Sequence, residues 1–243
     1  MDMRNAPALP HLSAAGSLPQ MPAFARPSNG RRARLTVELA ILFVAAPLAM
    51  ASAIETFRVS LLLLLPPVLI GVILYLLYDR TFSLARELSR GFRIRDLLSI
   101  LATFLIAGGG VAAWVWLNRP EEFLSFPTYR PQLWTWVMIL YPLLSALPQE
   151  LVYRTFFFHR YGALFGDWRW VAVAANGALF GFAHVIIGNG LSIVLSGLLG
   201  LLLAYRYTET RSVWATWIEH TLYGWLVFTV GLGRYFFTGV SMF

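Results

Sequence analysis

Apolar runs long enough to cross a bilayer follow one another almost without pause from Leu35 to about residue 233. A membrane helix needs about 20 predominantly apolar residues, because a rise of 1.5 Å per residue must span a hydrocarbon core of about 30 Å. Such runs lie at about 35–53, 57–78, 97–117, 134–163, 170–189, 190–207 and 213–233; the fourth is overlong and carries polar residues in its second half. The pattern predicts an all-α, polytopic transmembrane helix bundle of about seven spans. Composition agrees. Only 13% of the residues are charged, against about 25% in soluble domains.

Ahead of the runs, residues 1 to about 30 are rich in Pro, Ala and Ser and lack periodicity, as expected of a disordered N-terminal tail. Residues 31–243 then form one integral-membrane domain, with no internal repeat and no second domain. The first run follows Arg31-Arg32-Ala33-Arg34 and ends in the small residues Ala49-Met50-Ala51-Ser52-Ala53. It reads either as the core of a signal peptide or as a first span with a cytoplasmic basic flank. The second long run, following almost at once, favours the span.

The net charge of +7 comes with no Lys; every one of the 19 basic residues is Arg. Counted from a cytoplasmic N-terminus, one side receives Arg4, Arg26, Arg31, Arg32, Arg34, Arg80, Arg86, Arg90, Arg93, Arg95, Arg160, Arg169, Arg206 and Arg211. The other receives Arg58, Arg119, Arg130 and Arg234, and Arg154 falls inside a span. Basic residues collect on the cytoplasmic side of membrane proteins, so the expected location is a multi-pass place in the cell membrane with the N-terminus in the cytoplasm. Arg placed in short connectors orients a membrane protein and is not a nucleic-acid footprint. With no Cys, disulfides, thiolate chemistry and Cys-ligated zinc are excluded.

A charge at mid-bilayer costs about 2.5–3.5 kcal/mol on insertion scales, so each one needs a partner or a function. Glu38 and Glu55 lie near span ends and can reach the interface. The later spans differ: they carry Pro148-Gln149-Glu150 followed by Arg154, Phe180 followed by His184, and Glu219-His220 followed by Gly224. If the fourth and fifth spans turn near 165–170, Glu150 stands about 15 residues before the turn and His184 about 14 after it. Both then lie roughly 21–22 Å above the same membrane face. His220, about 7–9 residues into the last span, is shallower and comes within reach only if that helix starts early or tilts. Gly177, Phe180, Gly181 and His184 share one helical stripe. The Gly177/Gly181 pair makes that stripe one of close helix contact. Glu150 and Arg154 have the i, i+4 spacing of a helical ion pair. His159 beside Arg160 reads as interfacial, and Trp168, Trp170, Trp214 and Trp217 as an aromatic belt.

In these residues the chain resembles the CAAX prenyl endopeptidases and bacteriocin-processing enzymes, the CPBP (Abi-like) family of glutamic-type intramembrane proteases. That family shows Glu-Glu-x-x-x-Arg, Phe-x-x-x-His and His-x-x-x-Asn/Asp in order on successive membrane helices. The matches here are Gln149-Glu150-x-x-x-Arg154, Phe180-x-x-x-His184 and His220-x-x-x-Gly224, within a family-like core of about 134–230. The resemblance implies an endopeptidase, a hydrolase that cuts a peptide bond of a membrane-associated protein or peptide through a Glu/His-activated water. Glu150, His184 and His220 are its expected catalytic residues, with Gln149, Arg154 and Phe180 supporting, and no cofactor or metal.

Two positions depart from the family. Gln149 replaces the first Glu, the family's proton acceptor, and Gly224 replaces the Asn/Asp associated with the oxyanion. Glu150 is therefore the expected base, with Glu219 as a second candidate. Zinc held by two His and one Glu is a weaker option, as no His-Glu-x-x-His is present. The alternatives are a catalytically impaired family member serving as a membrane assembly, chaperone or immunity factor, and a small transporter. The transporter is disfavoured by the lack of a repeat.

Overall fold

A computed structural model describes residues 27–58 and 61–236, and every regular element among them is helical. The helices are α1 (Asn29–Phe57), α2 (Leu61–Tyr78), the short α3 (Leu84–Leu88), α4 (Ile94–Asn118), the short α5 (Ser125–Tyr129), α6 (Pro131–Phe165), α7 (Arg169–Ala183), α8 (Gly190–Thr210) and α9 (Val213–Thr229). Helices are what hydrocarbon permits here, since each satisfies its own backbone hydrogen bonds. Five of the described helices are long and apolar enough to cross a membrane: α1, α4, α6, α8, and α7 with its continuation to Ile187. The expected seven would also need α2 and α9, which have 18 and 17 residues. The tail expected over residues 1–30 lies outside the described residues as far as residue 26, and α1 already begins at Asn29.

The polarity of a soluble protein is inverted. Leu74, Leu105, Ile106, Leu144 and Leu198 point outward with more than half of their surface open, whereas Glu150, Arg154 and Glu219 have none. Apolar side chains facing out suit lipid as the solvent. Inside, an aromatic core gathers Phe43 of α1, Tyr153, Phe156, Phe157 and Tyr161 of α6, and Phe180 of α7. Phe43 meets Tyr153 edge-on at 5.2 Å and Phe157 at 5.6 Å between ring centres.

Helix α1 belongs to this interior. Leu35 and Phe43 are buried in it, and Glu38 takes two hydrogen bonds from Arg160, at 2.6 and 2.8 Å, and one from Tyr161. These contacts support the reading of residues 35–53 as a span. Glu38, expected to reach the interface, is thus the partner of Arg160. His159 likewise has a defined partner, the Asp79 carboxylate at 3.0 Å.

Two features position the site. First, α6 is not a regular α-helix: wide π-turns at Pro142–Ala146 and Leu151–Phe156 flank the short α-helical piece Leu147–Glu150. Pro142 has no N–H for the Met138 carbonyl, and Trp225 of α9 supplies that donor at 2.8 Å. Trp217 donates to the Pro142 carbonyl at 2.7 Å. Trp217 therefore pins α9 to α6. Each inserted residue in a π-turn rotates the rest of the helix by about 100°, one helical step.

Second, α7 and α8 form the closest pair in the bundle. A Cβ on Gly181 would stand 2.7 Å from the Gly197 Cα, and one on Gly177 2.7 Å from the Leu201 amide nitrogen. The expected G-x-x-x-G contact thus goes to α8. It leaves Phe180 and His184 turned toward α6 and α9.

Candidate active site

Three helices build the site. Helix α6 contributes Gln149, Glu150 and Arg154 from the piece between its π-turns and the turn after it, α7 contributes Asn176, Phe180 and His184, and α9 contributes His220. Glu150 and Arg154 are wholly buried. Glu150 Oε1 lies 2.8 Å from His220 Nδ1, and Glu150 Oε2 lies 3.2 Å from Arg154 Nε. An ionised carboxylate only accepts, so the hydrogen of this bond sits on His220 Nδ1. In the neutral imidazole Nε2 is then the lone-pair nitrogen, with no hydrogen-bond partner among the described residues. The reach of His220, left open by depth alone, comes from the two tryptophans that clamp α9 onto α6.

Arg154 is held from a second side. Its Nη1 donates to Asn176 Oδ1 at 2.6 Å, and the Asn176 amide donates in turn to the Tyr153 carbonyl at 2.6 Å. That carbonyl belongs to the second π-turn of α6. The guanidinium lies over the Phe180 ring, 4.9 Å from its centre. Sequence reasoning missed Asn176, although a signal was present. An amide in an apolar run, four residues before Phe180 and eight before His184, lies on the same helical stripe.

His184 stands where α7 gives way to the 3-10 turn His184–Ile187. Its Nδ1 is 2.9 Å from the Phe180 carbonyl oxygen. A carbonyl also only accepts, so Nδ1 again carries the hydrogen and Nε2 the lone pair. Phe180 separates the two imidazoles, edge-on to both, at 5.2 Å from His184 and 5.6 Å from His220. Gln149 donates its amide hydrogen to Ser145 Oγ at 2.9 Å.

A cavity of about 1310 Å³ opens over these groups, lined at its polar end by Tyr141, Gln149, His184 and His220, with Phe180 between. Its remaining walls are largely apolar side chains of α1, α2, α4, α6, α8 and α9. Glu150 does not line it; the carboxylate sits behind His220. Glu219, the second candidate base, is elsewhere. It takes hydrogen bonds from Arg206 Nε (2.8 Å), Arg206 Nη2 (3.0 Å) and Thr103 Oγ1 (2.9 Å). Among the described residues no group of three His, Asp or Glu comes together as a metal site would require.

A comparison with protein families decides what kind of core this is. Residues 131–226 match the family model described as "Rce1-like: Type II CAAX prenyl endopeptidase Rce1-like". The matched stretch, from the start of α6 into α9, is similar to that family. The resemblance read from the three motifs is borne out over that stretch, which contains Gln149, Glu150, Arg154, Phe180, His184, His220 and Gly224. No curated protein and no solved structure matches the chain. Five helices long and apolar enough to cross a membrane make this a multi-pass membrane protein, and its segment 131–226 is similar to the Rce1-like endopeptidases.

Proposed function

We propose that this protein is an intramembrane endopeptidase that hydrolyses a peptide bond of a membrane-associated protein, with His220 as the general base and Glu150 as the carboxylate that positions it. The observation that carries the reading is the 2.8 Å contact between Glu150 and His220 Nδ1 at the floor of the cavity. Glu150, expected to take the proton itself, has no exposed surface, so it serves the reaction through the imidazole.

Peptide hydrolysis without a covalent intermediate needs a base for water and donors for the oxyanion. His220 Nε2 is a lone pair at the cavity wall, and a water held by it loses a proton to His220 as its oxygen attacks the carbonyl carbon. The imidazolium that forms is stabilised by the Glu150 carboxylate. Arg154 is the cation beside that carboxylate, and Asn176 and Phe180 hold Arg154. Collapse of the tetrahedral intermediate breaks the C–N bond, and His220 returns the proton to the leaving amine. The apolar walls of the cavity suit a substrate that arrives from the bilayer. The Arg distribution supports an N-terminus in the cytoplasm, which reporter fusions in the loops after α2 and after α4 would check.

A specific observation favours a second reading. Gln149 cannot accept a proton where the family carries a carboxylate, and its amide is tied to Ser145. A non-catalytic membrane chaperone or assembly factor on the same scaffold would look like this. A cleavage assay on lipid-modified peptides in vesicles separates the two. Under the first reading the natural chain cleaves, His220→Ala and Glu150→Ala abolish cleavage, and Gln149→Ala only weakens it. An inert natural chain that Gln149→Glu alone switches on establishes the second.

A further inference from the structure

Both imidazoles of the site present lone pairs to the cavity. His220 gives its Nδ1 hydrogen to Glu150, and His184 gives its own to the Phe180 carbonyl. Two acceptors can hold and deprotonate a water, but neither can donate to an oxyanion in that state. A donor in place before the proton moves has to be another group at the polar end of the cavity.

Tyr141 stands there because position 224 is glycine. A Cβ on Gly224 would fall 2.1 Å from Tyr141 Cε1, 2.3 Å from Cζ and 2.5 Å from the phenolic oxygen. No real side chain tolerates such distances, so any residue larger than glycine would expel the ring. The ring is fixed on two further sides, edge-on to His220 at 6.1 Å and to Phe228 at 5.6 Å. Tyr141 is the last residue before Pro142 and the first π-turn of α6. It shares the cavity wall with His220, and its hydroxyl has no hydrogen-bond partner among the described residues. The residue is half-buried, and its open valence lies at the cavity wall beside His220.

We propose that the Tyr141 hydroxyl is the oxyanion donor of this site and that Gly224 is the vacancy that admits it. The inference rests on the endopeptidase reading and adds a catalytic residue to it. During attack the phenolic O–H donates a hydrogen bond to the carbonyl oxygen as that oxygen becomes negative; no proton is transferred and the bond relaxes when the C–N bond breaks. Gln149 has a second amide hydrogen, and it is the competing donor.

The test uses the full chain in vesicles with two readouts: turnover of a lipid-modified peptide, and affinity for its phosphinate analogue, whose tetrahedral anion stands in for the intermediate. Tyr141→Phe should lower kcat about 10²-fold or more, the usual effect of removing one oxyanion donor, with KM nearly unchanged. It should weaken phosphinate binding by a similar factor while leaving affinity for the intact peptide as it was. The variant keeps the ring and its packing, so its thermal midpoint should equal that of the natural chain. Gly224→Ala, which forces the ring out, should match Tyr141→Phe and add little on top of it. A natural chain that cleaves, with a Tyr141→Phe variant within twofold of it, overturns the assignment and leaves the endopeptidase reading standing. So does selectivity for the phosphinate that disappears in Gln149→Ala instead. An inert natural chain overturns both.

Discussion

Among the described residues, two Glu–Arg pairs have both members buried. Glu219 and Arg206, between α8 and α9, are a closed set: the two carboxylate oxygens accept from Arg206 Nε and Nη2, Thr103 adds a third bond, and Arg206 Nη1 goes to Ser99 at 2.9 Å. Neither residue lines the large cavity. Glu150 and Arg154 are an open set. Their closest approach is 3.2 Å, and Glu150 Oε2, Arg154 Nε and Arg154 Nη2 have no well-formed hydrogen bond among the described residues. Their remaining valence goes outward, from Glu150 to His220 and from Arg154 to Asn176. Burying a charge in a membrane demands a partner, and both pairs meet that demand. One saturates it and becomes part of the frame. The other leaves it half met and passes the charge on to an imidazole at the cavity wall.

Substitutions that exchange the fates of the two pairs sharpen this contrast. The largest effect is expected at the open pair and in activity: Glu150→Gln keeps the volume but deprives His220 of its counter-charge. Peptide cleavage should fall by about 10³-fold or more, by analogy with loss of the carboxylate behind a catalytic histidine. Glu219→Gln in the same assay should leave the turnover of the folded fraction within a few fold. Comparable losses from the two variants would mean that both pairs are frame.

Next comes stability. Arg206→Ala strands the Glu219 carboxylate, and breaking a buried pair from one side costs about 3–5 kcal/mol. Replacing both members, Arg206→Met with Glu219→Leu, should recover most of that loss, since apolar substitutes for a buried pair are often neutral. Chemical denaturation in detergent measures both. A double variant no better than the single one would show that Ser99 and Thr103, and not the ion pair alone, need the charge.

An intermediate effect is expected at Asn176→Ala, which removes one hydrogen bond from Arg154 and one from the Tyr153 carbonyl. Hydrogen bonds to charged groups contribute about 1.5–3 kcal/mol. Activity should drop together with stability, because Arg154 then rests on Glu150 and Phe180 alone. A variant with unchanged cleavage would take Asn176 out of the site.

The smallest effect lies outside the spans, at the turn after α2. Asp79 accepts from Thr81 through its hydroxyl (2.7 Å) and amide (2.9 Å), and its other oxygen meets His159. The Thr81 hydroxyl, then His159 and the Thr81 amide, hold the Asp79 carboxyl well below its ordinary value of 3.8. A depressed carboxyl stabilises the fold above its unfolded value and stops doing so as pH falls through the folded one. The contribution should therefore be constant from neutral pH down to about 4 and fade below that. Asp79→Asn should cost about 1 kcal/mol at neutral pH and flatten the acid limb of a melting-temperature profile. An acid limb equally steep in the variant assigns the titration to another group.

Much of the frame around both pairs was legible in the chain. Apolar run lengths and the scarcity of charge imposed an all-helical membrane bundle, because hydrocarbon tolerates little else at those lengths. The order of Glu150, His184 and His220 on three late helices was legible as well, since motif spacing is a property of one helix at a time. Span number was less legible. Length and apolarity mark α1, α4, α6, α8 and α7 with its continuation to Ile187 as able to cross, while α2 and α9 have only 18 and 17 residues.

Partnership was beyond reach. Glu219 beside His220 and Glu150 three helices earlier are equivalent as letters. Which carboxylate meets the histidine depends on a facing difference of about 100° between neighbours, on two π-turns in α6, and on tryptophans that pin α9 to the carbonyls Pro142 disturbs. The same holds for Gly224, a missing side chain in the sequence and an occupied site in the fold, where the Tyr141 ring fills the space. Periodicity within a helix follows from local geometry and can be read from the chain. Contacts between helices follow from how irregular, close-packed rods cross, and only the tertiary structure decides them.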